Sequence, residues 1–167
     1  MRSNEAQFDL ETIFAAQYER IARVIAKVTR DPARAEELAV EVFLKWSRNS
    51  QAQGAKAEGW LYRAAVRIGL DELRRQTRRS RYEALVQFVR AAPSPEEIRS
   101  SQEEQNRVRL VLAVLPRRQS ELLLLRSEDL SYEELASALD LNPASVGTLL
   151  SRAQEAFRKE FIKKYGQ

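Results

Sequence analysis

The chain has 167 residues, of which 44% are hydrophobic and 31% charged, a composition typical of one or two soluble globular domains. It contains no Cys and no His, which excludes disulfides, thiol nucleophiles, imidazole bases and zinc or haem sites built from these residues. The longest purely aliphatic run, residues 122–125, is far shorter than the roughly 20 residues that a membrane helix needs. The N-terminus has no signal-peptide pattern, so we expect a cytoplasmic protein without membrane insertion.

The positive charge is concentrated in the first half of the chain. Residues 1–82 hold 16 Lys and Arg against 11 Asp and Glu, a net charge of +5, whereas residues 83–167 hold 12 against 13, a net charge of −1. Five arginines fall within residues 74–81. Such a cluster binds polyanions through charge and bidentate phosphate contacts, which favours nucleic acid as the partner; a solvated helix end is the alternative.

Two amphipathic helices are predicted at the start of the chain. Apolar residues recur every three or four positions over residues 9–30, with Asp9 as a candidate N-cap. Asp31 followed by Pro32 then offers an N-cap and a proline at the first helical position. The same period resumes after them and predicts a second helix that ends near Ser47.

A polar segment, residues 47–59, separates the second helix from a third that starts near Trp60. The segment contains two glycines and no apolar period, and long loops of this kind often carry function. The third helix has arginines four, seven and four positions apart, which would share a face opposite its apolar side: Arg63, Arg67, Arg74 and Arg78. Aromatic, amide and cationic side chains lie near the start of this basic stripe: Trp60, Tyr62, Asn49, Gln51, Gln53 and Lys56.

The loop and the basic stripe together suit single-stranded or opening DNA. Cations pair with phosphates, amides read base edges and aromatic rings stack on bases. The alternative is that Trp60 and Tyr62 belong to the core, which we favour for Trp60.

A proline-interrupted segment, residues 83–94, marks the predicted boundary between two domains and is either a helical extension or a linker. Ser94 with Pro95 is placed to start the next helix. Pro116 would close that helix and begin another that runs to about Ser127. No alternating strand pattern is present, so the predicted fold is all-α, with two small helical domains joined by a linker.

The last part of the chain has the spacing of a helix-turn-helix. Ser131 and Glu134 form a capping box at the start of a short helix, and Asn142 followed by Pro143 starts the next. In this motif the N-terminal part of the second helix enters the DNA major groove. The residues that it would present are Ala144, Ser145, Gly147, Thr148, Ser151 and Arg152. An ordinary helical hairpin that binds no DNA is the open alternative.

Six short motifs follow one another along nearly the whole chain: Ala35–Leu38, Glu41–Phe43, Trp60–Arg63, Leu70–Arg75, Leu115–Gln119 and Leu130–Ala136. In this order and spacing they resemble the motifs of an extracytoplasmic-function (ECF) RNA polymerase sigma factor of the sigma-70 family. The resemblance implies a sigma2-like domain at residues 5–82, a linker at 83–94 and a sigma4-like helix-turn-helix domain at 95–165.

The resemblance implies a transcription initiation factor rather than an enzyme, without catalytic residues or a cofactor. Such a protein binds core RNA polymerase, directs it to promoter DNA, opens the duplex at the minus-ten element and holds the non-template single strand; an anti-sigma factor is a further expected partner. Carried over by position, the polymerase contact falls on Glu37, Leu38, Glu41 and Phe43. Minus-ten DNA binding falls on Asn49, Lys56, Trp60, Arg63, Arg67, Arg74, Arg75, Arg78 and Arg79. Minus-thirty-five recognition falls on the six residues named above for the second helix of the helix-turn-helix.

Some positions depart from the family pattern. Asp140 replaces the usual turn glycine, and Gly147 and Leu149 stand where basic residues are common. The recognition helix is therefore poor in charge, and we expect weak duplex binding by the second domain alone. Two other functions stay open: a sigma mimic that sequesters an anti-sigma factor, and a helix-turn-helix transcriptional regulator.

Overall fold

The computed structural model describes residues 2–90 and 100–166. Over these residues the regular secondary structure is helical and contains no β-strand, which confirms the predicted fold class. The α-helices are α1 (Arg2–Thr29), α2 (Pro32–Ser47), α3 (Ala57–Arg90), α4 (Ser100–Val114), α5 (Arg117–Arg126), α6 (Tyr132–Leu139) and α7 (Pro143–Tyr165). None of these helices is long and apolar enough to cross a membrane.

Helices α2 and α7 begin where the sequence predicts them. Asp31 caps α2, its carboxylate accepting a hydrogen bond from the Arg34 amide at 3.1 Å, and Pro32 occupies the first helical position. Asn142 caps α7 in the same way and accepts from the Ala144 amide at 3.0 Å. Each cap satisfies an amide that the helix itself leaves without a partner.

The helix-turn-helix consists of α6, a tight turn and the start of α7. The predicted capping box is confirmed, because Ser131 Oγ accepts from the Glu134 amide at 3.1 Å while the Ser131 amide donates to Glu134 Oε2 at 2.7 Å. The turn passes through Asp140 in the left-handed region (φ 56°), and the amides of Asp140 and Leu141 both donate to the Ala136 carbonyl. Aspartate tolerates this backbone conformation better than most residues, so the turn forms without the family's usual glycine.

The start of α1 differs from the prediction. The helix begins at Arg2 and runs through Asp9, so the prediction of Asp9 as its N-cap is wrong. Residues 2–8 contain no glycine or proline that would stop the helix from extending upstream.

Helix α3 is longer at both ends than the sequence indicates. It begins at Ala57, three residues before Trp60, and continues through Arg90, so residues 83–90 extend the helix. The helix start predicted at Ser94 and Pro95 lies outside the described residues.

Helices α1 to α3 pack around Trp46 and Phe43 of α2, two of the largest fully buried side chains. Ile21 of α1 and Leu61 of α3 lie in the same core. Between α2 and α3 the chain makes two 3-10 turns, and the Trp46 indole N–H donates to the carbonyl of Ala52 in the first of them at 2.9 Å. The core residue of α2 therefore also anchors the segment that leads into α3.

The second half of the chain packs directly on the first. Helix α3 contacts α4, α5 and α6. One buried apolar cluster includes Val66 of α3, Leu122 of α5 and Leu135 of α6, so the two halves share a core.

Candidate nucleic-acid interface

The loop between α2 and α3 is held by hydrogen bonds to its own side chains. Asn49 Oδ1 accepts from the Gln51 amide at 3.1 Å and caps the first 3-10 turn. The Gln53 side-chain amide donates to the carbonyls of Trp46 at 3.1 Å and of Asn49 at 3.2 Å. Gly54 adopts φ +75°, a conformation that side-chain-bearing residues rarely adopt. The predicted base-reading segment is therefore an ordered structure.

A cavity of about 550 Å³ lies between this loop, the start of α3 and the helix-turn-helix. On the loop side it is lined by amide, cationic and aromatic side chains: Asn49, Gln51, Lys56, Trp60 and Arg63. On the other side it is lined by residues of α6, of the turn after it and of the start of α7: Glu133, Ser137, Asp140 and Pro143. The loop side has the chemistry of a base-capture site, and the helix-turn-helix forms its opposite wall.

Of the two aromatic residues at the start of α3, Trp60, which we favoured as a core residue, is only partly buried against the core. Tyr62 is the core residue, at 2% exposure, while Trp60 is half-buried and lines the cavity. The Arg20 guanidinium lies 4.9 Å from the Tyr62 ring centre, and burial raises the pKa of the Tyr62 hydroxyl. Trp60 is therefore the aromatic side chain available to a base.

The basic stripe on α3 is divided between solvent and the second half of the chain. Arg67 Nε donates to Glu121 of α5 at 2.7 Å, and Arg74 donates to the carbonyls of Ala113 and Leu115 at 3.1 and 3.3 Å. The four arginines of the predicted stripe are therefore not equally open to solvent: Arg67 keeps 40% of its side chain exposed, and Arg74 is half-buried. The cause is tertiary packing, because α4 and α5 cover the face of α3 that the helical period leaves polar.

The other predicted cations are accessible. Arg78, Arg79 and Lys56 are exposed. Arg63 is half-buried at the cavity, and Arg75 is exposed and bonded to Glu72 on the same helix at 3.1 Å. These side chains form a basic surface that runs from the loop along α3.

The outer face of α2 carries the residues predicted to bind polymerase, but only two of them are accessible. Glu37 and Glu41 are exposed, whereas Leu38 and Phe43 are buried in the core and cannot touch a partner in this conformation. Sequence reasoning missed two exposed aliphatic residues beside the carboxylates: Val40 and Leu44, at 42% and 48% exposure. Positions 40 and 44 fall outside the three- and four-residue spacing of the buried positions of α2. This break in the period is the sequence signal that could have identified Val40 and Leu44 as exposed.

The first three turns of α7 present the predicted recognition residues to solvent. Five of the six are exposed: Ala144, Ser145, Thr148, Ser151 and Arg152. Gly147 is half-buried, and a Cβ at this position would lie 3.4 Å from the Tyr132 ring. This distance is an ordinary van der Waals contact, so the structure does not require a glycine at this position.

The sequence matches the family model for sigma-70 region 2 over residues 13–79 and the model for sigma-70 region 4 over residues 105–156. It is 31% identical over 169 residues to the ECF RNA polymerase sigma factor SigK of Mycolicibacterium vanbaalenii, covering 92% of this chain and 84% of that protein. The chain belongs to the ECF RNA polymerase sigma factors of the sigma-70 family. The region 2 match contains the loop and the start of α3, and the region 4 match contains the helix-turn-helix.

Two further similarities accompany this ECF sigma factor assignment. The chain is 30% identical over 161 residues to "Probable RNA polymerase sigma factor RfaY" of Xanthomonas campestris, covering 92% of this chain but 40% of that protein. The chain thus spans less than half the length of the Xanthomonas relative. The solved structure of the sigma factor RpoE with the anti-sigma factor NepR from Bartonella quintana covers 95% of this chain and 99% of the solved chain, at a TM-score of 0.49 and 17% identity.

Proposed function

We propose that this chain is a transcription initiation factor that works in the cytoplasm, binds core RNA polymerase, directs it to specific promoters and opens the DNA at the minus-ten element. Membership of the ECF sigma factors supports the proposal. The observation that carries it is the ordered loop between α2 and α3, whose Asn49 and Lys56 line one cavity with Trp60 of α3, while Arg78 and Arg79 are exposed further along the same helix. In this function the protein contributes binding energy, and the chemistry of RNA synthesis belongs to the polymerase.

The outer face of α2 is the proposed polymerase contact. Exposed Val40 and Leu44 lie next to the exposed carboxylates of Glu37 and Glu41. An apolar centre with a charged rim is the usual organisation of a protein interface, and the carboxylates favour a partner surface with basic residues. Leu38 and Phe43 support this face from the core rather than touch the partner.

Strand opening is proposed to occur at the loop cavity. Extruding a base costs a few kcal/mol of stacking and pairing, which contacts in a pocket and to the backbone must offset. Trp60 offers a stacking surface, the amides of Asn49 and Gln51 can bond a base edge, and the exposed arginines further along α3 can hold more distant phosphates of the DNA. In this proposal the loop captures the base, and the arginines of α3 neutralise the phosphate charge.

Minus-thirty-five recognition is proposed for the exposed face at the start of α7. Small side chains there permit close approach to DNA, and the free amides at the helix N-terminus favour a phosphate. Arg152 is the one cation among the six predicted contact residues, so this element depends on tethering to the rest of the complex. An anti-sigma factor that covers these surfaces is proposed as a regulatory partner.

Replacing Asn49 by alanine is expected to reduce open-complex formation about five- to tenfold while leaving polymerase affinity within about twofold. The change removes the cap of the first 3-10 turn and one amide of the cavity, and losing such a cap costs about 1 kcal/mol. Permanganate reactivity of thymines in the bubble measures opening. Asn106→Ala, at an exposed asparagine of α4, is the matched control. Unchanged permanganate reactivity in Asn49→Ala would contradict base capture by this loop.

Replacing Arg78 and Arg79 together by alanine is expected to weaken single-stranded DNA binding for every sequence tested. The plot of log K against log salt has a negative slope, and each lost phosphate contact makes that slope shallower by about 0.7. The slope of the double variant should therefore be shallower than that of wild type by about 1.4. Binding isotherms at four salt concentrations measure the slope. Lys163→Ala with Lys164→Ala removes two exposed cations from α7 and should leave the slope unchanged. Equal slopes for wild type and the α3 variant would show that Arg78 and Arg79 do not contact the phosphate backbone of the DNA.

A further inference from the structure

A second cavity, of about 900 Å³, lies between the end of α1 and helices α4, α5 and α7. It shares no lining residue with the loop cavity, and its volume falls within the roughly 300–1,000 Å³ of small-molecule sites. Much of its wall is apolar: Val28, Val108, Leu112, Leu123, Leu124 and Phe157. Four of these side chains stay half-buried: Val108, Leu123, Leu124 and Phe157. The cavity therefore leaves apolar surface in contact with water, which a ligand of the right shape would cover.

Arg109 of α4 holds a positive charge at this cavity without a counter-ion. Its Nε donates to the Val28 carbonyl at 2.8 Å, and its Nη2 donates to the Thr29 carbonyl at 2.9 Å. The guanidinium also donates to the side-chain oxygens of Gln76 and Asn106, at 3.1 and 3.3 Å. All these acceptors are neutral, and Arg109 forms no ion pair with the residues that the structure describes. Carbonyl dipoles at the end of α1 offset only part of its charge.

A second guanidinium at the cavity adds to this charge. Arg30, the residue directly after α1, is exposed, and its side chain forms no ion pair within the described part of the chain. Burial and the charge of Arg30 lower the pKa of Arg109, the effect expected of two cations close to each other. The other charged lining residues are Lys27, which pairs with Glu128 at 3.1 Å, and Glu104, which is exposed. Two cations and one carboxylate are therefore left without an ion pair at the cavity.

We propose that this cavity binds a free long-chain fatty acid, with its alkyl chain against α4, α5 and α7 and its carboxylate at Arg30 and Arg109. The single excess positive charge matches a monoanion better than a phosphate dianion. Of the described lining residues, Phe157 alone is aromatic, so the wall suits an alkyl chain better than a flat ring that needs stacking. Binding at this site depends on neither DNA nor polymerase.

Calorimetric titration of the full-length chain with dodecanoate, kept below its micelle concentration, tests the proposal. We expect one-to-one binding with a Kd of about 1–50 μM. Octanoate has four fewer methylenes to bury and should bind at least about tenfold more weakly. Dodecyltrimethylammonium has the same alkyl chain with a positive head group. It should also bind at least about tenfold more weakly, because the two arginines repel it.

Two substitutions place the ligand within the cavity. Val108→Trp fills part of the apolar wall and should weaken dodecanoate binding at least about tenfold, whereas Val114→Trp, at an exposed position of the same helix, should not. Arg30→Gln removes a cation whose side chain has no described hydrogen bond and should weaken binding about fivefold. Arg23→Gln, at an exposed position of α1, controls for net charge. Circular dichroism verifies that each variant folds.

The contrary outcomes are equally defined. The absence of saturable binding below the micelle concentration would overturn the proposal. Equal affinities for dodecanoate and dodecyltrimethylammonium would rule out a carboxylate site at the arginines. Unchanged dodecanoate affinity in either folded variant, Val108→Trp or Arg30→Gln, would place the ligand outside this cavity. If Val108→Trp does not fold, the comparison of Arg30→Gln with Arg23→Gln decides. None of these results bears on the proposed function, which is tested by polymerase and DNA binding.

Discussion

Replacing Val40 and Leu44 together by glutamate is expected to weaken binding to core RNA polymerase by at least about 100-fold. Both side chains are exposed on the outer face of α2, where no described helix covers them. An aliphatic residue at the centre of an interface contributes about 2 kcal/mol or more, and every 1.4 kcal/mol changes affinity tenfold. The introduced carboxylates would also be desolvated beside Glu37 and Glu41, which adds repulsion.

The measurement for this variant is anisotropy of the labelled chain titrated with core polymerase. Ile162→Glu is the matched control, because Ile162 is an exposed aliphatic residue on the distant end of α7. The stability of both variants should stay within about 1 kcal/mol of wild type, since these side chains keep about half of their surface exposed in the folded state. An affinity loss below threefold for the α2 variant would place the polymerase contact on another surface.

Replacing Trp46 by alanine is expected to lower the free energy of unfolding by about 3–5 kcal/mol, a large share of the stability of a small domain. Trp46 is among the largest fully buried side chains, so its removal leaves a cavity in the core of α1 to α3. The substitution also removes the indole donor to the Ala52 carbonyl, and the buried acceptor loses its partner. Denaturant unfolding followed by circular dichroism measures the change.

Trp60→Ala is the matched control for the core substitution, because these two residues are the only tryptophans in the chain. Trp60 is half-buried at the cavity, so its loss should cost less than half as much stability. It should instead reduce permanganate-detected opening, which depends on stacking of a base. Equal destabilisation by the two alanine substitutions would contradict the assignment of Trp46 to the core and Trp60 to the DNA surface.

The helix starts could be predicted from sequence because their signals are local. Asp31 with Pro32, Ser131 with Glu134, and Asn142 with its following proline each satisfy backbone amides within three residues. The exposed recognition face of α7 follows from the same register. By contrast, the start of α1 had no such signal.

The roles of individual side chains within the site could not be predicted, since they depend on contacts between distant parts of the chain. Arg67 meets an acid 54 positions away, and Arg74 caps a helix 39 positions away. Trp60 and Tyr62 are two positions apart and therefore lie on opposite sides of α3. Because the sequence did not fix where α3 begins, it could not show which of the two sides faces the core. Family resemblance predicts which elements carry the site, and packing determined which of their residues face solvent.

The most direct test of the central claim is the binding of the labelled, full-length chain to bacterial core RNA polymerase, followed as anisotropy against polymerase concentration. We expect saturable binding, with a Kd between about 1 nM and a few micromolar, the range of specific protein complexes. A folded chain that shows no saturable binding at tens of micromolar polymerase would contradict an initiation-factor function.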